Sequence, residues 1–125
     1  MMLKQISLFR LTALGFGLAI LAVPSRLSAQ QFVNLNPDAT ALIQQGDAFK
    51  DNGSIKEAEA IYRQVIQQYP DYANGYRVLG LFVNYYYQNQ PQEALQYYTK
   101  FRDLCQAQNL DCVDYAASLM QRVQN

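Results

Sequence analysis

Two stretches of this chain repeat one pattern of small and aromatic residues at a spacing of 34 residues. Gly46 and Gly80 mark the two copies, and each glycine is followed by an alanine with a tyrosine four residues later. The alanine–tyrosine pairs are Ala58 with Tyr62 and Ala94 with Tyr98. A unit of this length that recurs in register buries its apolar face only against its neighbours. The pattern therefore predicts a stack of short repeated units.

Helical periodicity and helix-end signals give the first repeat two helices. The first is predicted over residues 38–52, after the cap and proline of Asn36-Pro37 and before a stop at Gly53. Its apolar stripe is Leu42, Gly46 and Phe49. The second helix opens at a predicted capping box, Ser54-Ile55-Lys56-Glu57, and ends before Pro70.

Three further helices complete the prediction. The third covers about 72–88, the fourth begins near Pro91, and the fifth follows a cap at Asp111. The predicted inward face of the fifth helix is Val113, Ala116, Ala117, Met120 and Val123. Since no segment alternates with a period of two for long enough to form a strand, the predicted fold class is all-α.

The small and aromatic positions resemble the tetratricopeptide repeat, a helix–turn–helix family. Tyr76 stands where that family usually has tryptophan, and Gln45 stands where it usually has leucine, which indicates a less buried site. The second copy has two extra residues within 85–90, in a longer helix end or a wider turn. The resemblance covers about 38–107 and implies a TPR-like α-solenoid of two antiparallel helix pairs, which 110–123 close. It predicts one helical domain over 38–125.

The first 29 residues have the pattern of a secretory signal peptide. Lys4 and Arg10 precede an apolar core over 11–23, and Ala29 offers a small residue at the cleavage site. A transmembrane anchor is the alternative, but this core is shorter than the roughly 20 residues that span a bilayer. Cleavage leaves a short tail over 30–37 and a 96-residue chain with a net charge of −3. The expected location is the periplasm or the cell exterior, with no membrane span after cleavage.

The chain has two cysteines, Cys105 and Cys112, placed between the fourth and fifth predicted helices. In an exported chain such a pair favours a disulfide that fastens the closing helix. Two reduced, half-buried thiols are the alternative, and geometry alone could forbid the bridge.

The family resemblance also places a concave groove along the first helix of each repeat. The residues expected to line it are Ile43, Asp47, Lys50, Arg77, Leu81, Asn84 and Tyr85. Some family members hold the terminal carboxylate of a peptide with a Lys and Asn clamp. Because Ile43 and Asp47 occupy the first two clamp positions, that mode is not expected. A different peptide could bind with Arg77 facing a carboxylate, or the groove could be a solvated surface without a ligand.

Ten tyrosines are present, and three of them are consecutive at 85–87. Successive helical residues point about 100° apart, so at least one of these rings is expected to be exposed, together with rings from Tyr69, Tyr72 and Tyr97. The rings either fill the repeat core or form a patch for docking or self-association.

The composition argues against several classes of function. The chain has no histidine, which excludes a Ser-His-Asp triad and a His-ligated metal. Zero net charge, with ten basic and ten acidic residues, argues against nucleic-acid binding. The carboxylates Glu57, Glu59 and Glu93 are explained by helix ends and solvation. No phosphate-binding loop, metal cluster or cofactor motif appears. We therefore expect no enzyme, metal or cofactor.

The sequence thus predicts an exported module that binds a protein or peptide and holds or positions it. The alternative is a structural subunit that assembles with itself, as a homo-oligomer, through its tyrosine-rich surface.

Overall fold

A computed structural model describes residues 35–125, and the predicted signal peptide lies outside them, as do residues 30–34 of the predicted tail. The described residues form five α-helices and no strand. In chain order these are α1 (Pro37–Asp51), α2 (Ile55–Gln68), α3 (Ala73–Tyr86), α4 (Pro91–Ala107) and α5 (Val113–Gln124). The all-α prediction is confirmed. None of these five helices is both long and apolar enough to cross a membrane.

The signals at the two ends of α1 act as the sequence predicts. The Asn36 Oδ1 atom accepts a hydrogen bond from the backbone N–H of Ala39 at 3.0 Å, and Pro37 occupies the first helical turn. Gly53 has a φ angle of 82°, in the left-handed region that glycine tolerates best. Its backbone therefore stops α1 and turns the chain into α2.

Two predicted caps are wrong. Ser54 is the N-cap residue of α2, but its side chain makes no capping hydrogen bond, because its backbone is not in the extended conformation that aims a hydroxyl at the first turn. Only its carbonyl contributes, by accepting a hydrogen bond from the Ala58 backbone N–H at 3.0 Å. At α5 the N-cap residue is Cys112, and Asp111 lies one position before this cap.

The two extra residues of the second repeat are divided between a helix and a turn. Helix α3 continues six residues beyond Gly80, whereas α1 continues five beyond Gly46. The turn before α4 has four residues, whereas the turn before α2 has three. The third helix is accordingly shorter than the predicted 72–88, and it ends at Tyr86.

Glycine allows each pair of helices to approach closely. A Cβ atom on Gly46 would lie 2.5 Å from Cε1 of Tyr62, and one on Gly80 would lie 2.6 Å from Cε1 of Tyr98. Both tyrosine rings are almost fully buried, so neither has room to move aside. The repeated Gly and Tyr positions are therefore the contacts that join α1 to α2 and α3 to α4.

The core runs continuously through the described helices. Its largest fully buried side chains are Tyr62, Val65, Leu79, Val83, Tyr98 and Phe101. On α5 the inward face differs from the predicted one at two positions. Ala117 is exposed and Leu119 is buried, because the face that packs on α4 is centred on Ala116 and Leu119. Gln45 is exposed, as the sequence predicts for an edge position.

Cys105 and Cys112 form a disulfide between α4 and the start of α5. Both residues are almost fully buried. The bond closes a short loop, which constrains the unfolded chain and fixes the closing helix against α4.

Candidate functional site

A groove with a volume of about 740 Å³ lies between α1 and α3. All seven residues that the sequence places on the concave face lie along it. From α1 these are Ile43, Asp47 and Lys50, and from α3 they are Arg77, Leu81, Asn84 and Tyr85. The repeat spacing thus brings together residues that are more than 30 positions apart.

The floor of the groove is apolar and includes residues that the sequence reasoning missed. Tyr62, Val78, Phe82 and Tyr86 also line it, together with Gln88 in the turn after α3. Tyr62 comes from α2, and its ring packs edge-on against that of Phe82 at 5.4 Å between centroids. Ile43 is only 7% exposed, so it belongs mainly to the core and offers the groove little surface.

The charge of Asp47 on the α1 side is already satisfied within the protein. The Tyr62 hydroxyl donates a hydrogen bond to Asp47 Oδ1, and Lys50 Nζ lies 3.6 Å from the same oxygen. Burial raises the pKa of Tyr62, and the hydrogen bond to Asp47 raises it further. Asp47 therefore orients a buried ring and pairs with a lysine, which leaves it little capacity to bind a cation.

The charge of Arg77, on the α3 side of the groove, is not neutralised by any described residue. Its Nε atom donates to Asn74 Oδ1 at 2.6 Å, and no carboxylate of residues 35–125 forms an ion pair with it. The Asn74 contact holds the guanidinium at the wall of the groove without neutralising its charge. Arginine commonly binds carboxylates through two parallel N–H bonds. Arg77 is thus a positioned cation without a counter-ion among the described residues.

Arg63, in contrast, has its guanidinium paired with acidic side chains of the same protein. It donates to Glu59 on its own helix at 2.8 Å, and to Glu93 and Tyr97 on α4 at 2.8 and 2.7 Å. Tyr87 donates to the other oxygen of Glu59 at 2.5 Å. These contacts tie α2 to α4, so Glu59 and Glu93 are network members and more than the solvated carboxylates that the sequence suggests.

The network also shifts the pKa values of Glu59 and Arg63. Burial raises the pKa of Glu59, but the hydrogen bonds from Tyr87 and Arg63 outweigh burial and the net pKa is lowered. For Arg63, burial lowers the pKa, whereas the hydrogen bonds to Glu93 and Glu59 raise it, and the net pKa is raised. Both shifts favour the charged forms, as in a structural ion-pair network.

Tyr85 is the exposed ring of the tyrosine run, with 70% of its surface accessible. Its edge meets the Tyr86 ring at 4.7 Å between centroids, and that ring packs in turn on Phe82. The prediction that one ring of the run is exposed is confirmed. The prediction that Tyr72 is exposed is wrong. Tyr72 is buried, and its hydroxyl lies 3.3 Å from Thr40 Oγ1.

The remaining rings are divided between the core and the surface. Tyr69 and Tyr97 are half-buried, and Tyr97 belongs to the Arg63 network. Tyr115 on α5 is 38% exposed, and the sequence had not identified it as an exposed ring. The most exposed aromatic surface of the described residues is therefore Tyr85, at the rim of the groove.

The chemistry of the groove suits binding. Residues 35–125 contain no cluster of acidic and cysteine side chains that could hold a metal ion. The groove instead combines an apolar floor, one unpaired cation, the amides of Asn84 and Gln88, and an exposed ring. Such a surface suits a ligand that has apolar side chains and hydrogen-bond acceptors.

Comparisons with known proteins agree with this architecture. The family model described as tetratricopeptide repeat matches residues 40–72. Among solved structures, the chain is similar to a tetratricopeptide repeat domain protein from Salinibacter ruber, determined by solution NMR. The two share 12% sequence identity and superpose with a TM-score of 0.63, over 72% of this chain and 90% of the other. No curated protein sequence gives a significant match.

Proposed function

Because this chain is a tetratricopeptide repeat protein, with a fold typical of protein–protein interaction modules, we propose that it binds a partner protein through the groove between α1 and α3. The bound element is a peptide segment of that partner. Its apolar side chains pack on Leu81 and Val78 in the groove floor, and Tyr85 covers one edge.

Arg77 is the observation that carries this proposal. A buried or half-buried arginine usually has an acidic partner in its own chain, and Arg63 has two. Arg77 is held in place by Asn74 yet has no ion pair among residues 35–125. A carboxylate on the bound peptide supplies the missing counter-ion, with two N–H bonds that also fix the register of the peptide.

We also propose that the protein works outside the cytoplasm, in the periplasm or beyond the cell. The amino-terminal pattern of residues 1–29 supports export, and the Cys105–Cys112 disulfide is consistent with an oxidising compartment. In that setting the module acts as a scaffold that holds or positions its partner. Catalysis is not part of the proposal.

The test is capture of partners by wild-type and variant chains after crosslinking in the native envelope. Arg77→Ala and Tyr85→Ala should each weaken recovery of the same partner while the far-ultraviolet circular dichroism stays unchanged. The matched control is Arg102→Ala, which removes an arginine of α4 that pairs with its neighbour Asp103 outside the groove. Equal recovery with all three variants would refute the assignment.

Self-association through tyrosines is the second candidate, and the 70% exposure of Tyr85 favours it. Sedimentation over a range of concentrations separates the two functions. A stable homo-oligomer that Tyr85→Ala dissociates supports the structural subunit. A monomer at all concentrations supports the binding module.

A further inference from the structure

The two tyrosines that pack on the repeat glycines have different surroundings at their hydroxyl groups. Tyr62 packs on Gly46, and its hydroxyl donates to the side chain of Asp47, the residue after that glycine. Lys50 lies 3.6 Å from the same carboxylate oxygen. The first repeat therefore brings a hydroxyl, a carboxylate and a cation together, and the carboxylate satisfies both of its neighbours.

The second repeat keeps the hydroxyl and lacks the carboxylate. Tyr98 packs on Gly80 in the same way, but the next residue is Leu81, whose side chain cannot accept a hydrogen bond. Tyr98 is 1% exposed, and its hydroxyl has no hydrogen-bond partner among residues 35–125. A buried polar group without a partner is costly, so a ligand that accepts this hydrogen bond gains free energy.

Arg77 approaches the Tyr98 hydroxyl from α3. It lies one helical turn before Gly80, the residue on which the Tyr98 ring packs. Its Nε atom donates to Asn74, and it forms no ion pair within residues 35–125. One positive charge without a counter-ion therefore lies on the α3 side of the hydroxyl.

Arg122 approaches the same hydroxyl from α5. The Tyr115 ring of α5 meets the edge of Phe101 at 6.2 Å between centroids, and Phe101 lies one turn after Tyr98 on α4. Arg122 comes seven residues after Tyr115, which places the two on the same face of α5. Arg122 also forms no ion pair within the described part of the chain.

The charges of both arginines act on the hydroxyl. Burial raises the pKa of Tyr98, and Tyr115 raises it further, whereas the positive charges of Arg77 and Arg122 lower it. Among residues 35–125, no carboxylate contributes to this shift. The second repeat thus places two cations and a hydrogen-bond donor around a position that lacks an anion.

We propose that Arg77, Arg122 and the Tyr98 hydroxyl together bind one carboxylate of the partner's peptide. This carboxylate supplies the acceptor that Asp47 supplies in the first repeat. The inference rests on the proposed function, which makes the ligand a peptide and already assigns a carboxylate to Arg77. It adds that the peptide continues from the groove past α3 towards α5.

The carboxylate reaches the hydroxyl by displacing side chains. In the free protein the Tyr98 hydroxyl is shielded from solvent, so the group that covers it has to move. Arg77 is half-buried and Arg122 is exposed, and exposed side chains change rotamer within nanoseconds. The ligand-free state therefore leaves the hydroxyl unsatisfied, and binding satisfies it. Removing the hydroxyl should accordingly stabilise the free protein and weaken ligand binding.

The test is an NMR titration of the isotope-labelled, disulfide-bonded protein with a blocked peptide of alternating leucine and glutamate. We expect saturable shifts of the Nε–H signals of Arg77 and Arg122, and none with a matched peptide that has glutamine in place of glutamate. A third peptide, with glutamine and a free carboxyl terminus, distinguishes the two sources of a carboxylate. Saturable shifts of both arginines with that peptide support the site with a terminal carboxylate as its ligand.

Variants separate this site from a structural role of the tyrosine. Tyr98→Phe should weaken binding of the carboxylate peptide about tenfold, through loss of a hydrogen bond to a charged acceptor, while the Tm of the free protein rises. Arg122→Gln should weaken binding severalfold. Tyr72→Phe and Arg102→Gln are the matched controls, because they remove a buried hydroxyl and a positive charge elsewhere, and they should leave the affinity unchanged.

The results that would overturn the inference differ from those that would overturn the groove. If Tyr98→Phe and Arg122→Gln bound the peptide as tightly as the natural chain and only Arg77→Gln weakened it, the proposed function would stand and the shared site would be wrong. Equal binding of the glutamate and blocked glutamine peptides, or no saturable binding of either carboxylate peptide, would also refute the site. Partner capture with Tyr85→Ala tests the groove independently of these titrations.

Discussion

Replacing Tyr62 or Tyr98 with phenylalanine should change stability in opposite directions. The two tyrosines occupy equivalent repeat positions, and each is 1% exposed. The Tyr62 hydroxyl donates to Asp47, whereas the Tyr98 hydroxyl is buried without a hydrogen-bond partner among residues 35–125. The difference arises at one position, because the residue after Gly46 is Asp47 and the residue after Gly80 is Leu81.

The magnitudes follow from this difference. A hydrogen bond to a charged group contributes about 1.5–3 kcal/mol, and water reaching the half-exposed Asp47 reduces the expected loss in Tyr62→Phe to about 1 kcal/mol. A buried polar group without a partner costs about 1–3 kcal/mol, so Tyr98→Phe should stabilise by about 1 kcal/mol. For a domain of this size, 1 kcal/mol corresponds to a change in Tm of roughly 4–8 °C.

Thermal and urea unfolding of the two variants measure these changes. We expect Tm to fall for Tyr62→Phe and to rise for Tyr98→Phe. Adding Asp47→Leu to the Tyr62→Phe chain should cost little more, because its hydrogen bond from Tyr62 is already gone and its remaining ion pair with Lys50 is solvent-exposed and contributes little. A loss of similar size in both phenylalanine variants would refute the reasoning, since it would mean that the Tyr98 hydroxyl is satisfied.

Further predictions concern packing, the disulfide and pH. Gly80→Ala should lower the free energy of unfolding, measured in urea, by about 1–3 kcal/mol. The reason is that the new Cβ would lie 2.6 Å from the buried ring of Tyr98, which cannot move. An unchanged or raised stability would contradict the close contact. Cys105→Ser with Cys112→Ser should cost about 2.5 kcal/mol by loss of the loop constraint, and equal midpoints of the natural chain with and without reductant would contradict this. The lowered pKa of Glu59 adds stability that is present above its unfolded pKa, near 4.5, and is lost as pH falls through the folded value. Glu59→Gln should therefore flatten the acid limb of the stability–pH curve, and an unaltered limb would count against the network. Burial raises the pKa of Tyr98 to about 12, so Tyr98→Phe should likewise reduce the loss of stability above pH 10, as followed by Tm.

The helices and the groove could be predicted because local signals and the repeat spacing point to the same fold. Asn36, Pro37 and Gly53 act within a few residues of the helix ends that they set, and the helix bounds follow closely. The positions of Arg77 and Leu81 follow from those of Ile43 and Asp47 once the spacing is known. In a regular repeat, residues at equivalent positions of successive units lie next to each other in space.

The features that the sequence did not predict depend on contacts between distant side chains. Nothing near Arg63 indicates that it pairs with Glu93, which lies 30 residues away on another helix. The contribution of Tyr62 to the groove depends on how far its ring reaches between α1 and α3. The inward face of α5 also differs from the prediction, with Leu119 buried and Ala117 exposed, because the side of this helix that packs on α4 is set by contacts with another helix.

The most direct test of the account is photo-crosslinking from inside the groove in the native envelope. A benzophenone amino acid replaces Tyr85 at the rim of the groove in one chain, and Gln96 on the exposed surface of α4 in a second chain. We predict a discrete protein adduct from position 85, no such adduct from position 96, and loss of the adduct when Arg77→Glu is added. The same adduct from position 96, or one from position 85 that persists with Arg77→Glu, would contradict binding through the groove.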